Sequence, residues 1–554
     1  MTAEPETGKS SVGRSSLVMA SGTAVSRALG LVRNLLLVAV IGATGSIADA
    51  FDIANKVPNI LFAIIAGGVL NAVIVPQVMR AYRSPNSQEY LDKLLTLSGT
   101  ALLLLTAVCT LGASVTVGIY IDESWSAAQV SLAVAFGFWC IPQLFFYGLY
   151  TLLGQVLNAR SQFGPFMWAP ALNNVVSIIG FSAFLLVYGG SAVNGDLGDW
   201  STGKVTLLGA VATLGVVSQA LVLIIPLWRS GFRWHLRYGV RGVGLRSVGR
   251  VGAWTFAAVL LDQLAVWVTT KIATAAPVTA RADGYDGLAV AGNGAYTQAL
   301  MVYLLPHSLV TVSIATALFT GMSAAAARGD VETIRATVSR GLRVIAVFTV
   351  FATSVLVVLS QPAMKLLVPT LPAEDVVVVG RVMLAMALGL VPLGAMVLMK
   401  WVYFAFEDGR TVFLIQIPVT IVLMAGAWVG SLTLPAQWWV VGIAAAMSLS
   451  NLVAVLLRVG GMVKRLDGLD LSRILRLHVQ LVIAAAVAGG IGWFVLKVWE
   501  FEPGDSWFTA LGVTALVGTT MTAVYVLALR LMGVEELTGL AEPVMKKLGR
   551  RPRR

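Results

Sequence analysis

The stretch VSRALGLVRNLLLVAVIGATGSIADAFDIANKVPNILFAIIAGGVLNAVIVPQ, residues 25–77, consists of two apolar runs separated by a short break. Arg27 and Arg33 lie inside the first run, and Asp49, Asp52 and Lys56 lead into the second. Ionised side chains are costly in hydrocarbon, so charges placed here must face a partner or a water-filled cavity. The rest of the chain has to build that cavity.

Of 554 residues, 57% are hydrophobic and only 12% are charged, whereas a soluble domain carries about 25% charged residues. Mean hydropathy is +0.84. Runs able to cross a bilayer, roughly 20 apolar residues each, recur to about residue 533 with no soluble domain between them. The expected fold is an all-α integral membrane protein with fourteen transmembrane helices. They lie near 15–42, 48–80, 92–120, 127–156, 164–188, 204–228, 248–276, 290–324, 336–360, 377–405, 410–431, 436–463, 474–498 and 507–533. Residues 1–13 are polar and the first run outlasts a signal peptide, so it is expected to stay as an uncleaved first span.

The net charge of +12 does not point to nucleic acid, because the basic residues fall in alternate short loops. One set of loops holds Arg80, Arg83 and Lys93, then Arg160, the series Arg229 to Arg250, Arg328 to Arg340, Arg410, and Lys464 to Arg476. The other set has little beyond Lys204, Arg281, Lys365 and Lys497, and carries acids such as Asp196, Asp286 and Glu502. By the positive-inside rule both termini are cytoplasmic, and the basic tail 546–554 faces anionic headgroups. Cys109 and Cys140 sit inside apolar runs without metal spacing and are expected as buried free thiols. His235, His307 and His478 are scattered, and Thr7-Gly8-Lys9-Ser10 lacks the glycine and strand of a phosphate loop. No enzyme chemistry, metal or cofactor is implied.

An internal repeat organises these spans. Pro142 in the fourth matches Pro392 in the tenth, and Phe163 matches Phe413, both 250 residues apart, with Asn158-Ala159-Arg160-Ser161 facing Asp408-Gly409-Arg410-Thr411. Pro58-Asn59 and Pro306-His307 are 248 apart. Two parallel six-helix halves around a central cavity follow, 15–228 and 248–463, joined by a basic linker, 229–247. Helices 13 and 14 occupy 464–533, and tails 1–14 and 534–554 complete the chain. Parallel repeats of this kind place a substrate between the halves. Gly30 and the prolines Pro58, Pro142, Pro306 and Pro392 are the candidate hinges, since proline breaks the helical ladder.

Arg27 and Arg33, six residues apart, project about 120° apart around a helix. Their forked donors suit phosphate-type oxygens. A structural alternative pairs Arg33 with Asp49 or Asp52 and lets Arg27 snorkel to the surface. Asp52 and Lys56, four apart, are placed for an intrahelical pair. Asp262, Lys271 and Lys400 are the remaining intramembrane charges of interest. Asp262 is a candidate for cation or proton coupling or for an ion pair with Lys400, and Lys400 follows Pro392 toward the cavity.

The runs SRALGLVRN at 26–34, ADAF at 48–51, Lys56 with VPN at 57–59, VP at 75–76 and LNARSQFGPFMWAPALNN at 157–174 resemble the MviN/MurJ family of lipid II flippases, within the multidrug/oligosaccharidyl-lipid/polysaccharide exporter superfamily. EDGRT at 407–411 is similar to the matching element of that family's second half. The resemblance covers essentially the whole chain. It implies export of lipid II, a polyprenyl-pyrophosphate-linked peptidoglycan precursor, across the bacterial cytoplasmic membrane. It also implies substrate-binding roles for Arg27, Arg33, Lys56 and Asp49, a polyprenyl-tail groove in helices 13 and 14, and cell-wall synthesis proteins as partners. The chain departs from the family pattern at Asn34, Phe62, Ala63, Gly67 and Met301, which implies a less cationic cavity. Export of another polyprenyl-linked glycan, a drug or cation antiporter centred on Asp262, and a membrane scaffold recruited through the basic tail are the alternatives.

Overall fold

The computed structural model describes residues 7–67, 87–160, 162–191, 195–239, 250–285 and 289–536. Pro76, Gln77, Arg80, Arg83, Ser161, Arg241, Arg246, Asp286 and the tail 546–554 lie outside the described residues. Every regular element among them is helical. In chain order these are α1 Thr7–Ile41, α2 Ser46–Ile65, α3 Ser87–Leu111, α4 Ala113–Gly118, α5 Ala127–Cys140, α6 Gln143–Ala159, α7 Phe163–Tyr188, α8 Thr202–Leu221, α9 Ile224–Arg229 and α10 Arg250–Ala282. They continue as α11 Asn293–Pro306, α12 Val312–Ala327, α13 Val331–Val358, α14 Ser360–Leu367, α15 Ala373–Ala387, α16 Leu390–Ala405, α17 Gly409–Thr433, α18 Trp439–Arg465, α19 Leu471–Val498 and α20 Trp507–Leu531. Thr7-Gly8-Lys9-Ser10 opens α1 as helix rather than as a phosphate-binding loop.

The protein is an all-α, multi-span membrane protein. Among the described residues twelve helices are long and apolar enough to cross a bilayer, or thirteen when α15 and α16, bent by 48°, count as one. The expected second span is not among them for a physical reason. Its described part, α2, carries Asp49, Asp52 and Lys56 within 20 residues. The third span breaks at Gly112 between α3 and α4.

The chain forms two compact units, Met1–Gln263 and Leu264–Arg554, the division falling within α10. In the first, α7 packs along both α1 and α8, α2 along α5 and α6, α6 against α8, and α3 against α6. In the second, α17 packs along α18, α11 and α12 against α15 and α16, α16 against α18, and α13 against α16. The fifth–sixth, second–fourth, fourth–sixth and third–fourth pairings thus recur inside each unit. The second unit also packs α19 along α20 and α13. Tyr525 donates to the Val347 carbonyl (2.9 Å) and Ser354 to that of Ala485 (2.9 Å).

The matched prolines mark matched breaks. Pro142 ends the interruption between α5 and α6, and Pro392 lies in the first turn of α16, just after the interruption at Leu388-Gly389. A broken ladder leaves carbonyls that must find donors in the membrane. Thr213 on α8 donates to the Trp139 carbonyl (2.6 Å) at the first break. Ser448 on α18 donates to the Ala385 carbonyl (2.7 Å), and Asn451 donates to that of Gly389 (3.4 Å). Glycine is required at 389 because an added Cβ would sit 2.8 Å from the Ser448 Cα. Pro306 instead ends α11, and His307–Thr311 form a π-helical turn before α12. Pro58 is buried within α2, which continues past it.

Candidate substrate site

The first unit contains a polar network that begins at the expected arginines. Arg33, half-buried on α1, lies within electrostatic reach of the Tyr147 hydroxyl on α6. Tyr147 is hydrogen-bonded to Asn59 of α2 and donates to the Gln143 side chain (3.1 Å). The Gln143 amide donates to Asn55 of α2 (3.2 Å) and to Thr213 of α8 (3.3 Å). Asn59 also donates to the Asn55 carbonyl (2.8 Å). Three helices, α2, α6 and α8, are therefore joined by neutral polar groups, with the guanidinium of α1 at one end. Gln143 is buried while Asn59 is exposed, so the network has a dry end and an accessible one.

The other charges divide as their spacing suggests. Lys56 and Asp52 form the expected intrahelical pair at 3.2 Å. Asp49 is 1% exposed in the first turn of α2, where the helix dipole favours a carboxylate. Among the described residues no carboxylate lies within ion-pair distance of Arg33, so the structural alternative of pairing it with Asp49 or Asp52 is not realised. Arg27 is half-buried one and two-thirds turns earlier on α1. Between them Gly30 faces Asn174 of α7, whose amide donates to the Ser26 carbonyl (2.7 Å). α1 runs through Gly30 as unbroken helix, and a Cβ there would lie 3.6 Å from the Asn174 side chain.

The second set of charges is more dispersed. Asp262 belongs to the first unit, whereas Lys271 and Lys400 belong to the second. All three are half-buried, and the Lys400 ammonium lies 5.8 Å from the centre of the Phe404 ring one turn along α16. Among the described residues no group of three or more metal-ligating side chains occurs. Cys140 is buried as expected, but Cys109 is only partly so. It lies beside Leu103–Leu105, Val108 and Leu111, the exposed apolar face of α3.

The sequence reading did not find Asn55, Gln143, Tyr147 and Thr213. Each is an uncharged polar residue within a membrane helix, and Gln143 lies 88 residues from Asn55 and 70 from Thr213. Their only sequence signal is intramembrane polarity itself, which requires a partner.

Comparison with known proteins places this architecture. A family profile described as "Lipid II flippase MurJ" matches residues 37–512. The chain belongs to the MurJ family. This family is one of transporters rather than enzymes. A relative from Rhizobium meliloti, described as a probable lipid II flippase MurJ, is 25% identical over 532 residues, covering 92% of each chain. A lipid II flippase MurJ from Burkholderia cenocepacia is 27% identical over 494 residues, 86% of this chain and 89% of its own. Among solved structures, an inward closed lipid II flippase MurJ is similar with a TM-score of 0.68 at 19% identity, over 93% of this chain and 99% of that one. An inward-facing multidrug resistance MATE family transporter of the MOP superfamily gives 0.63 at 15% identity, over 81% and 98%. At those identities the likeness is one of fold.

Proposed function

We propose that the protein moves lipid II, the undecaprenyl-pyrophosphate-linked peptidoglycan precursor, from the inner to the outer leaflet of the bacterial cytoplasmic membrane by alternating access. The observation that carries this reading is the family match across residues 37–512. The guanidinium of Arg33, half-buried and with no carboxylate within ion-pair distance among the described residues, supports it at the site.

The chemistry follows from the charges. Arg27, Arg33 and Lys56 oppose Asp49 and Asp52, so the cluster keeps an excess of one positive charge. Arg33 and Arg27 engage the pyrophosphate through forked donors, and Lys56 contributes less because Asp52 already holds it. The network through Tyr147 and Gln143 fixes the helices that carry this charge. The polyprenyl tail stays in lipid along helices 13 and 14 while the headgroup crosses. With the cell interior negative, outward movement of an anion is favoured by roughly 2.3 kcal/mol per charge per 100 mV.

Fourteen spans in two parallel halves, with both termini cytoplasmic, complete the reading. The recurrence of helix pairings inside each unit supports the repeat. Asp262, Lys271 and Lys400 then take coupling or cavity roles, and Pro142 and Pro392 supply pliable points. Arg27→Ala and Arg33→Ala in cells depleted of their own flippase test the site. Loss of rescue is expected; normal growth of both variants removes these residues from the substrate site. The MATE-like fold favours a second reading, a drug or cation antiporter, under which Asp262→Asn abolishes activity and Arg33→Ala does not.

A further inference from the structure

Away from that site, a cavity of about 520 Å³ lies where α13, the first turns of α19 and the segment after α20 meet. Its charged lining is Arg343, Arg473, Arg476, Glu535 and Glu536. These arginines are not equivalent. Arg343 is only 12% exposed and is held by Glu536, so it anchors the segment. Arg473 and Glu535 meet at 2.8 Å but are 57% and 77% exposed, and such pairs contribute little. Arg476 is exposed, with no carboxylate within ion-pair distance among the described residues.

The surroundings indicate the kind of ligand. Leu475, Val479 and Val482 form an exposed apolar stripe on α19 beginning beside Arg476, and Leu527 and Leu531 are exposed on α20. A soluble anion gains nothing from that apolar border. A phospholipid presents a phosphate above two acyl chains, matching a cationic cavity set over lipid-facing helix. The sequence beyond Glu536 adds Lys546, Lys547, Arg550, Arg551, Arg553 and Arg554 against the single acid Glu542, raising the local concentration of anionic lipid. We propose that this cavity binds the headgroup of an anionic phospholipid, with Arg473 and Arg476 as its phosphate ligands and Arg343–Glu536 as its fixed wall.

Native mass spectrometry of the delipidated full chain, titrated with phosphatidylglycerol or phosphatidylcholine, tests this. Phosphatidylglycerol should bind about tenfold more tightly, and Arg473→Gln/Arg476→Gln should erase that preference. Arg335→Gln, a cation outside the cavity, should retain it. Should the double variant unfold, Arg476→Gln alone decides, because it breaks no ion pair among the described residues, and about a fivefold loss is expected. Wild-type binding by Arg476→Gln overturns the proposal. So does displacement of the lipid by inorganic phosphate at equal concentration, which would make the cavity a soluble-anion site.

Discussion

Gln143 shows what single polar residues do inside this membrane protein. Its amide donates to Asn55 and Thr213 and its carbonyl accepts from Tyr147, so one side chain ties α2, α6 and α8. Gln143→Leu keeps the volume but leaves Asn55 and Tyr147 short of a partner. We expect a cost of about 1–3 kcal/mol, read as a lowered Tm in detergent, together with reduced rescue of depleted cells. An unchanged Tm would mean that water replaces the amide. The arginines were legible in the sequence because a charge in an apolar run is conspicuous. Gln143 was not, since its significance lies wholly in partners that the fold brings to it. The intrahelical Asp52–Lys56 pair was legible for the converse reason, because both partners share one helical face.

At the level of elements, the repeat preserves roles while exchanging chemistry. In the first half Arg160, in the loop after α6, donates to the Ser230 carbonyl (2.5 Å) and covers the Phe232 ring just after α9. In the second, Asp408 occupies the equivalent loop and Arg465, at the end of α18, supplies the cation at 2.6 Å. The fourth–fifth loop is thus fastened to the end of the sixth helix in both halves, with the charge on opposite sides of the joint. Asp408 also caps α17 by accepting from the Thr411 amide (3.0 Å) and hydroxyl (2.8 Å). Burial pushes its carboxyl up, but the Thr411 bonds and Arg465 outweigh burial and hold it below the usual carboxylate range. The stabilisation is therefore present above the unfolded value of about 3.9 and is lost as pH falls through the lower folded value. Asp408→Ala should cost about 1–2 kcal/mol at neutral pH, and Asp408→Asn less because asparagine still caps. Unfolding midpoints at pH 7 and in strong acid check this, with the difference from wild type shrinking in acid. At the α15–α16 break, Gly389→Ala presses a methyl onto the Ser448 backbone. A loss of about 1–3 kcal/mol and impaired rescue are expected, whereas a neutral variant would show that α18 can retreat. The prolines announced both breaks in the sequence, but the hydroxyl and amide groups that satisfy the freed carbonyls come from distant helices and carry no local signature.

At the scale of the whole molecule, the decisive quantity is the parity of the spans. Among the described residues twelve or thirteen spans qualify by length and composition, and the proposed total of fourteen requires one more that begins with α2, whose charges defeat a hydropathy count. The same charges that form the proposed site therefore make its helix hard to recognise as a span. Loop charge predicts the outcome: the basic loop around Arg80, Arg83 and Lys93 lies in the cytoplasm, and the acidic loop around Asp196 lies outside. Single cysteines at Ser84 and Asp196, introduced in a Cys109→Ala/Cys140→Ala background, separate the possibilities with a membrane-impermeant maleimide. The cysteine at 196 should label in intact spheroplasts, and that at 84 only after permeabilisation. Three spans separate the two sites, so with a cytoplasmic N-terminus labelling of 84 but not of 196 from outside would mean that the second segment does not cross, leaving an odd number of spans and placing the termini on opposite faces. Alternating access by two parallel halves would then be untenable, because one half would enter the membrane inverted relative to the other.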